Sequence, residues 1–219
     1  MSQSKEKIKL NNLFVNGPRD ANGTLITETA EEAIVRMEQM LFEGININVH
    51  EDGFSWTALI SCIHSSIPIQ DTLTIMEWLL TRNPPININL KGMGGSAIAW
   101  AIGQRKPEIV RLLLNYGADV STADIPTTKG KKSLLYHSLA QRETLQEIKD
   151  MLLQYRLNPP TQQQICQRAD DFRLARKEEI RGYIILPDFI PYTETEPFIM
   201  PELYPEPYID EEKQFIKTL

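Results

Sequence analysis

Apolar residues recur along this chain three and four positions apart, in short blocks divided by polar turns, which is helical spacing. Ile75, Trp78 and Leu79 form one such set. Ile109, Leu112 and Leu113 form another, with Ile98 and Ile102 of the preceding block behind them. After each helix end the pattern changes to a two-residue alternation. Glu43-Gly44-Ile45-Asn46-Ile47-Asn48 follows Met40-Leu41, Pro85-Ile86-Asn87-Ile88-Asn89 follows Leu79-Leu80, and Gly117-Ala118-Asp119-Val120-Ser121 follows Leu113-Leu114. A weaker copy runs from Leu152 to Asn158. Counted from Gly44 to Pro85, Gly117 and Arg156, the copies stand 41, 32 and 39 residues apart. That period belongs to solenoids of helical hairpins, in which each unit leaves an apolar face that only a neighbouring unit can bury.

Local signals agree with these blocks. Pro107 falls at the first turn of its helix, where the missing N–H costs nothing. Gly117 suits a left-handed cap after Tyr116, and Asn83-Pro84-Pro85 stops the helix before it. Thr161-Gln162-Gln163-Gln164 reads as a capping box that opens a helix to about Ile180. Ile165, Ala169, Phe172, Leu174 and Ile180 would face inward. Arg173, Arg176, Lys177, Glu178, Glu179 and Arg181 read as a solvated outer face. Toward the N-terminus, Ser4 to Val15 suits a short helix with Ile8, Leu10, Leu13 and Phe14 turned inward.

On these residues the chain resembles the ankyrin repeat family. Lys91 to Thr122 follows that family's pattern without a gap. Gly94 stands at the early turn glycine, Ser96-Ala97-Ile98-Ala99 at the usual T-P-L-H, and Ile109-Val110-Arg111-Leu112-Leu113-Leu114 at I-V-x-x-L-L. Tyr116 to Ser121 stands at the closing G-A-D-V-N. Ser55 to Ile60 opens another repeat, Lys132 to Tyr136 opens the last, and Asp20-Ala21-Asn22-Gly23 resembles a degenerate first turn. The repeats diverge from the family. Ala58, Ala97 and Leu134 replace the proline, and Ile60, Ala99 and Tyr136 replace the histidine. The resemblance implies an all-α solenoid of about four helix-turn-helix repeats. We expect an N-terminal cap at 1–19, repeats over 20–160, a capping helix at 161–186 and an extended tail at 187–219.

Composition supports an ordinary core and little else. Of 219 residues, 42% are apolar, and no run of 18 apolar residues exists to suggest a membrane helix. The first twenty residues lack the unbroken apolar stretch of a Sec-type signal peptide. Two cysteines, Cys62 and Cys166, exclude a disulfide scaffold, and a reduced, cytoplasmic setting is expected. The net charge of −6 resides in the segment from Pro187 to Leu219, where eight acids face two lysines. The rest is neutral, which gives no electrostatic case for nucleic acid or an anionic membrane.

Candidate chemistry is sparse. None of His50, His64 and His137 belongs to a metal or zincin motif. Cys62-Ile63-His64 puts a thiol and an imidazole two positions apart, on different helix faces, and Cys62 reads as a buried structural thiol. Lys91 to Ser96 matches no phosphate-binding loop and reads as a turn. No catalytic residue, metal or cofactor is expected.

The resemblance implies partner binding through hairpin tips and the outward positions of the inner helices. Those positions hold Phe54, Trp56, His64, Ser65, Met93, Gln104, Lys129, Lys131, Lys132 and Gln141, with Gly103 among them. Trp78 and Trp100 read as core. In the tail, aromatics alternate with five prolines, from Phe189 to Tyr208, which suits an extended strip laid on a surface. Glu206, Asp210, Glu211 and Glu212, followed by Phe215 and Ile216, resemble the export signals of bacterial type IV secretion substrates. The expectation is therefore a monomeric protein-interaction module, read as a secreted effector with a host protein partner. An intracellular scaffold with an acidic regulatory tail and an enzyme with a nonstandard site are the alternatives.

Overall fold

The computed structural model describes residues 29–181, apart from 43, 45, 49–55, 66, 83–85, 93–94, 122–124 and 128–129; at 125–127, 130–132 and 178–181 it describes the backbone. The expected helix at Ser4 to Val15, the turn at Asp20 and the tail lie outside the described residues.

Among the described residues there are eight helices: α1 (Ala30–Phe42), α2 (Ala58–His64), α3 (Ile69–Thr81), α4 (Ala97–Gly103), α5 (Pro107–Asn115), α6 (Leu134–Ala140), α7 (Gln146–Leu157) and α8 (Gln162–Arg181). An antiparallel hairpin of β1 (Ile125–Thr127) and β2 (Gly130–Lys132) stands between α5 and α6. Seven-residue helices alternate with longer ones. The long helices stack as an outer row, α1 on α3, α3 on α5 and α5 on α7, while α2 packs on α4 in an inner row. The pairs α2–α3, α4–α5 and α6–α7 are the helical hairpins. One continuous apolar core runs from Ala30 to Ala169. The architecture is the expected all-α repeat solenoid.

The start of each inner helix explains what survives of the T-P-L-H pattern. Thr57 Oγ1 accepts the Ile60 N–H at 3.3 Å, and Ser133 Oγ accepts the Tyr136 N–H at 3.1 Å. Ser96 occupies the same position with the same extended backbone. A hydroxyl that caps the helix is kept where the proline and histidine are not.

The repeated Ile-Asn-Ile-Asn turns have a physical reason as well. Asn46 Oδ1 accepts the Asn48 N–H at 2.9 Å, and Asn48 Oδ1 accepts the Asn87 N–H of the next repeat at 2.7 Å. Asn87 and Asn89 repeat the step, at 3.0 Å within the turn and 2.8 Å on to Asp119, which in turn accepts the Ser121 N–H at 2.7 Å. Each first Asx side chain closes its own turn, and each second one satisfies a backbone donor in the neighbour. The outer row has a matching tie. Trp78 Nε1 donates to Glu38 at 3.1 Å and Tyr116 Oη donates to Glu77 at 2.8 Å, each one repeat back.

The C-terminal helix corrects two expectations. Its capping box forms, since Thr161 Oγ1 accepts the Gln164 N–H while Gln164 Oε1 accepts the Thr161 N–H. Its main packing partner, however, is α3 rather than the last repeat. Arg168 reaches the Asn115 carbonyl at the end of α5, Arg173 the Thr81 carbonyl at the end of α3, and Arg176 the Glu31 carboxylate on α1. The helix therefore runs back across the outer row, from the third hairpin to the first helix. Arg173 and Arg176 are not a solvated face: Arg176 is only 8% exposed. Leu174 was expected inside and is 61% exposed. The two sides exchange because long guanidinium stems bury along helix ends and satisfy carbonyls that an apolar residue could not.

Candidate functional site

The end of α2, in the inner row, brings together a set of polar and aromatic side chains. His64, its last residue, stacks on Trp56, with ring centroids 4.5 Å apart and planes 13° from parallel. Trp100 of α4 meets the same imidazole edge-on, at 4.6 Å and 73°. The Gln104 side-chain nitrogen lies 2.9 Å from His64 Nδ1 and 3.1 Å from Nε2. Lys106 Nζ donates to the Ile63 carbonyl, which places a cation at the negative end of α2. Burial, and then the nearby Lys106 charge, hold the His64 imidazole below its ordinary pKa, so it is neutral at neutral pH.

Arg105 makes this geometry possible. Its φ of 55° is left-handed, an uncommon state for a residue other than glycine, and it turns the chain sharply from α4 into α5. Gln104 and Lys106 are thereby both directed at the end of α2. Gly103, one residue before, is exposed, and a Cβ there would meet no atom within 4 Å. The surface is open at that point.

Of the residues singled out in the sequence, Trp56, His64 and Gln104 come together here, each partly exposed, and Gln141 is exposed at the end of α6. Ser65 is not a surface group: it is 9% exposed, and its hydroxyl donates to the Cys62 carbonyl at 2.7 Å. Trp78 is core, but Trp100 is a correction, because it stays partly exposed beside His64. Its register matches His137, which is partly exposed, and Ser61, which is fully buried, so alignment of the three inner helices does not settle it. Lys106 was missed because its role depends on the turn at Arg105. Phe54, Met93 and Lys129 lie outside the described residues, and Lys131 and Lys132 are described only as backbone of β2.

Cys62 is fully buried, and burial pushes its thiol well above the ordinary value. Two positions from His64, it is a packed thiol and not a nucleophile. Among the described residues no group of three or more His, Cys, Asp or Glu is placed to hold a metal ion, and no helix is long and apolar enough to cross a membrane. What the site offers is aromatic surface, amide hydrogen bonding and fixed positive charge.

A comparison with protein families matches residues 30–124 to ankyrin repeats, in three copies. A search of curated proteins found no match. The matched span runs from α1 to the turn after α5, and it contains the inner helices α2 and α4, the Asx ladder and the aromatic cluster. Residues 30–124 are a run of ankyrin repeats.

Proposed function

We propose that the chain binds a partner protein through the concave ends of its inner helices, with Trp56, His64, Trp100 and Gln104 as the anchor. Ankyrin repeats generally mediate protein–protein interaction. The observation that supports this face is the pair of indoles around a neutral imidazole, beside an open glycine. Interface centres favour aromatic residues, which bring contact area at low entropic cost. The hairpin tips, with Phe54, Met93, Lys129, Lys131 and Lys132, would extend the same surface.

The test compares capture from cell lysate by the full chain with capture by two variants. Gly103→Glu puts bulk and negative charge into the open surface, and Leu174→Ala changes the opposite side. Proteins retained by the parent and by Leu174→Ala but lost with Gly103→Glu support the concave face. Retention by Gly103→Glu would overturn it. The finer reading, that the partner is a host protein and the chain a type IV effector, is favoured by the acidic and apolar residues of the tail. A translocation reporter fused to the full chain tests it, and failure of delivery would favour the scaffold reading.

A further inference from the structure

We infer that the concave cluster is a docking site for an acidic, extended proline- and aromatic-rich strip, and that its occupant is the chain's own segment 187–208. The inference rests on the concave face being a binding surface, and it names what that surface takes. A polyproline-type strand has no internal hydrogen bonds, so its carbonyls need donors from outside. Its rings pack best on aromatic walls, which is how proline-rich segments are recognised in grooves. Trp56, His64 and Trp100 supply such walls, and Gln104 supplies an amide beside them.

Charge favours the same occupant. The loops joining inner to outer helices carry Arg105, Lys106 and Arg142 against Glu143, with Glu108 a short way into α5. Segment 187–208 carries Asp188, Glu194, Glu196, Glu202 and Glu206 and no basic residue. The path of α8 brings the segment close. That helix leaves the third repeat and reaches Glu31 on α1 through Arg176, so the chain continues from the α1 end of the outer row. Residues 182–190 can span about 30 Å when extended. Two helix layers are together about 20 Å thick, so the strip can pass round the edge onto the inner row.

The experiment uses the full chain. Cys166→Ser with Thr195→Cys gives one reactive thiol in the segment, because Cys62 is fully buried. A nitroxide on that thiol broadens the amide signals of residues it approaches. The expected result is loss of the His64, Gly103 and Gln104 amide signals, with recovery when the nitroxide is reduced and weaker loss at high salt. Gly103→Glu should restore the signals, as should Gly103→Gln, which adds bulk without charge; a dispersed spectrum shows that each variant is folded. Full signal intensity beside the active nitroxide would overturn the inference, and so would loss unchanged in both variants. Loss that appears only when nitroxide and isotope are on different molecules would assign the site to a second copy's segment and overturn docking within one chain. If Gly103→Glu abolishes capture of an external protein while the nitroxide has no effect, the binding face stands and only the tail's occupancy fails.

Discussion

The outer and inner rows of this solenoid are built from the same repeats, yet they meet solvent differently. Across the outer row lies α8, fixed by Arg168, Arg173 and Arg176 to three successive long helices. The inner row keeps two indoles, an imidazole and an open glycine partly or fully exposed at its ends. The back consists of long helices whose terminal carbonyls attract cations, so a helix bearing arginines at suitable spacing can close it. The front consists of seven-residue helices, and the end of α2 is already tied by Lys106 and Ser65, which leaves aromatic surface beside it. One face is closed by a packed helix, and the other keeps a surface suited to docking.

The largest test removes what both faces share. Leu113 is fully buried between the rows, and Leu113→Ala should cost about 2–5 kcal/mol through the cavity it leaves. Denaturant unfolding measures this, and a midpoint close to the parent's would refute the repeat register. A smaller and one-sided effect is expected from Arg176→Met. Glu31 is about half exposed and can return to water, so the pair is worth roughly 1 kcal/mol. Amide exchange should quicken in α8 and α1 while α4 and α6 keep their protection. Equal loss in all four helices would mean that the two faces are not independent.

The difference between the faces also marks how far the sequence could be read. Periodicity and the recurring Asx turns located the hairpins, because those signals are local and each repeat shows them again. The direction of α8 was not legible. Its apolar set of Ile165, Ala169 and Phe172 requires burial but does not say against what, and Leu174 falls next to that set without joining it. Arg173 and Arg176 look like any charged face until the carbonyls of Thr81 and the carboxylate of Glu31 are brought near. At the front, Trp56, His64 and Gln104 were legible as positions of a familiar repeat. Trp100 was misplaced because an indole at helical spacing most often packs inside.

A third test uses pH, since each face has a titrating group of opposite sign. Burial holds the Glu38 carboxyl on the back above the ordinary range, partly offset by Arg176, the Trp78 N–H and Arg82, with Glu31 adding a little in the same direction as burial. The folded chain keeps a proton that the unfolded chain releases, so this group's contribution to stability falls as pH rises from about 4.5. His64 on the front is held low, and the unfolded chain binds the extra proton. Its contribution is present above about pH 6.5 and is lost as pH falls below that value toward the lower folded one. Glu38→Gln keeps an acceptor for Trp78 and should flatten the first dependence; His64→Gln should flatten the second. Unfolding midpoints across this range, unchanged in slope for both variants, would show that neither face titrates as described.

The smallest effect sharpens the comparison from the front alone. Gly103 is the last residue of α4, lies outside the left-handed region and has open space where a side chain would stand. A glycine in such a place costs backbone entropy on folding and contributes no packing. Gly103→Ala should therefore stabilise the chain by about 0.4–1 kcal/mol, chiefly by restricting the unfolded state. On the back there is no equivalent gain to be made at Arg173 or Arg176, where truncation removes bonds. If the front is a docking surface that uses close approach at Gly103, the same alanine should weaken capture of a partner while raising the unfolding midpoint. Stability and binding would then move in opposite directions, which a purely structural glycine would not produce. A midpoint that drops would instead show that a neighbour already fills the space beside α4.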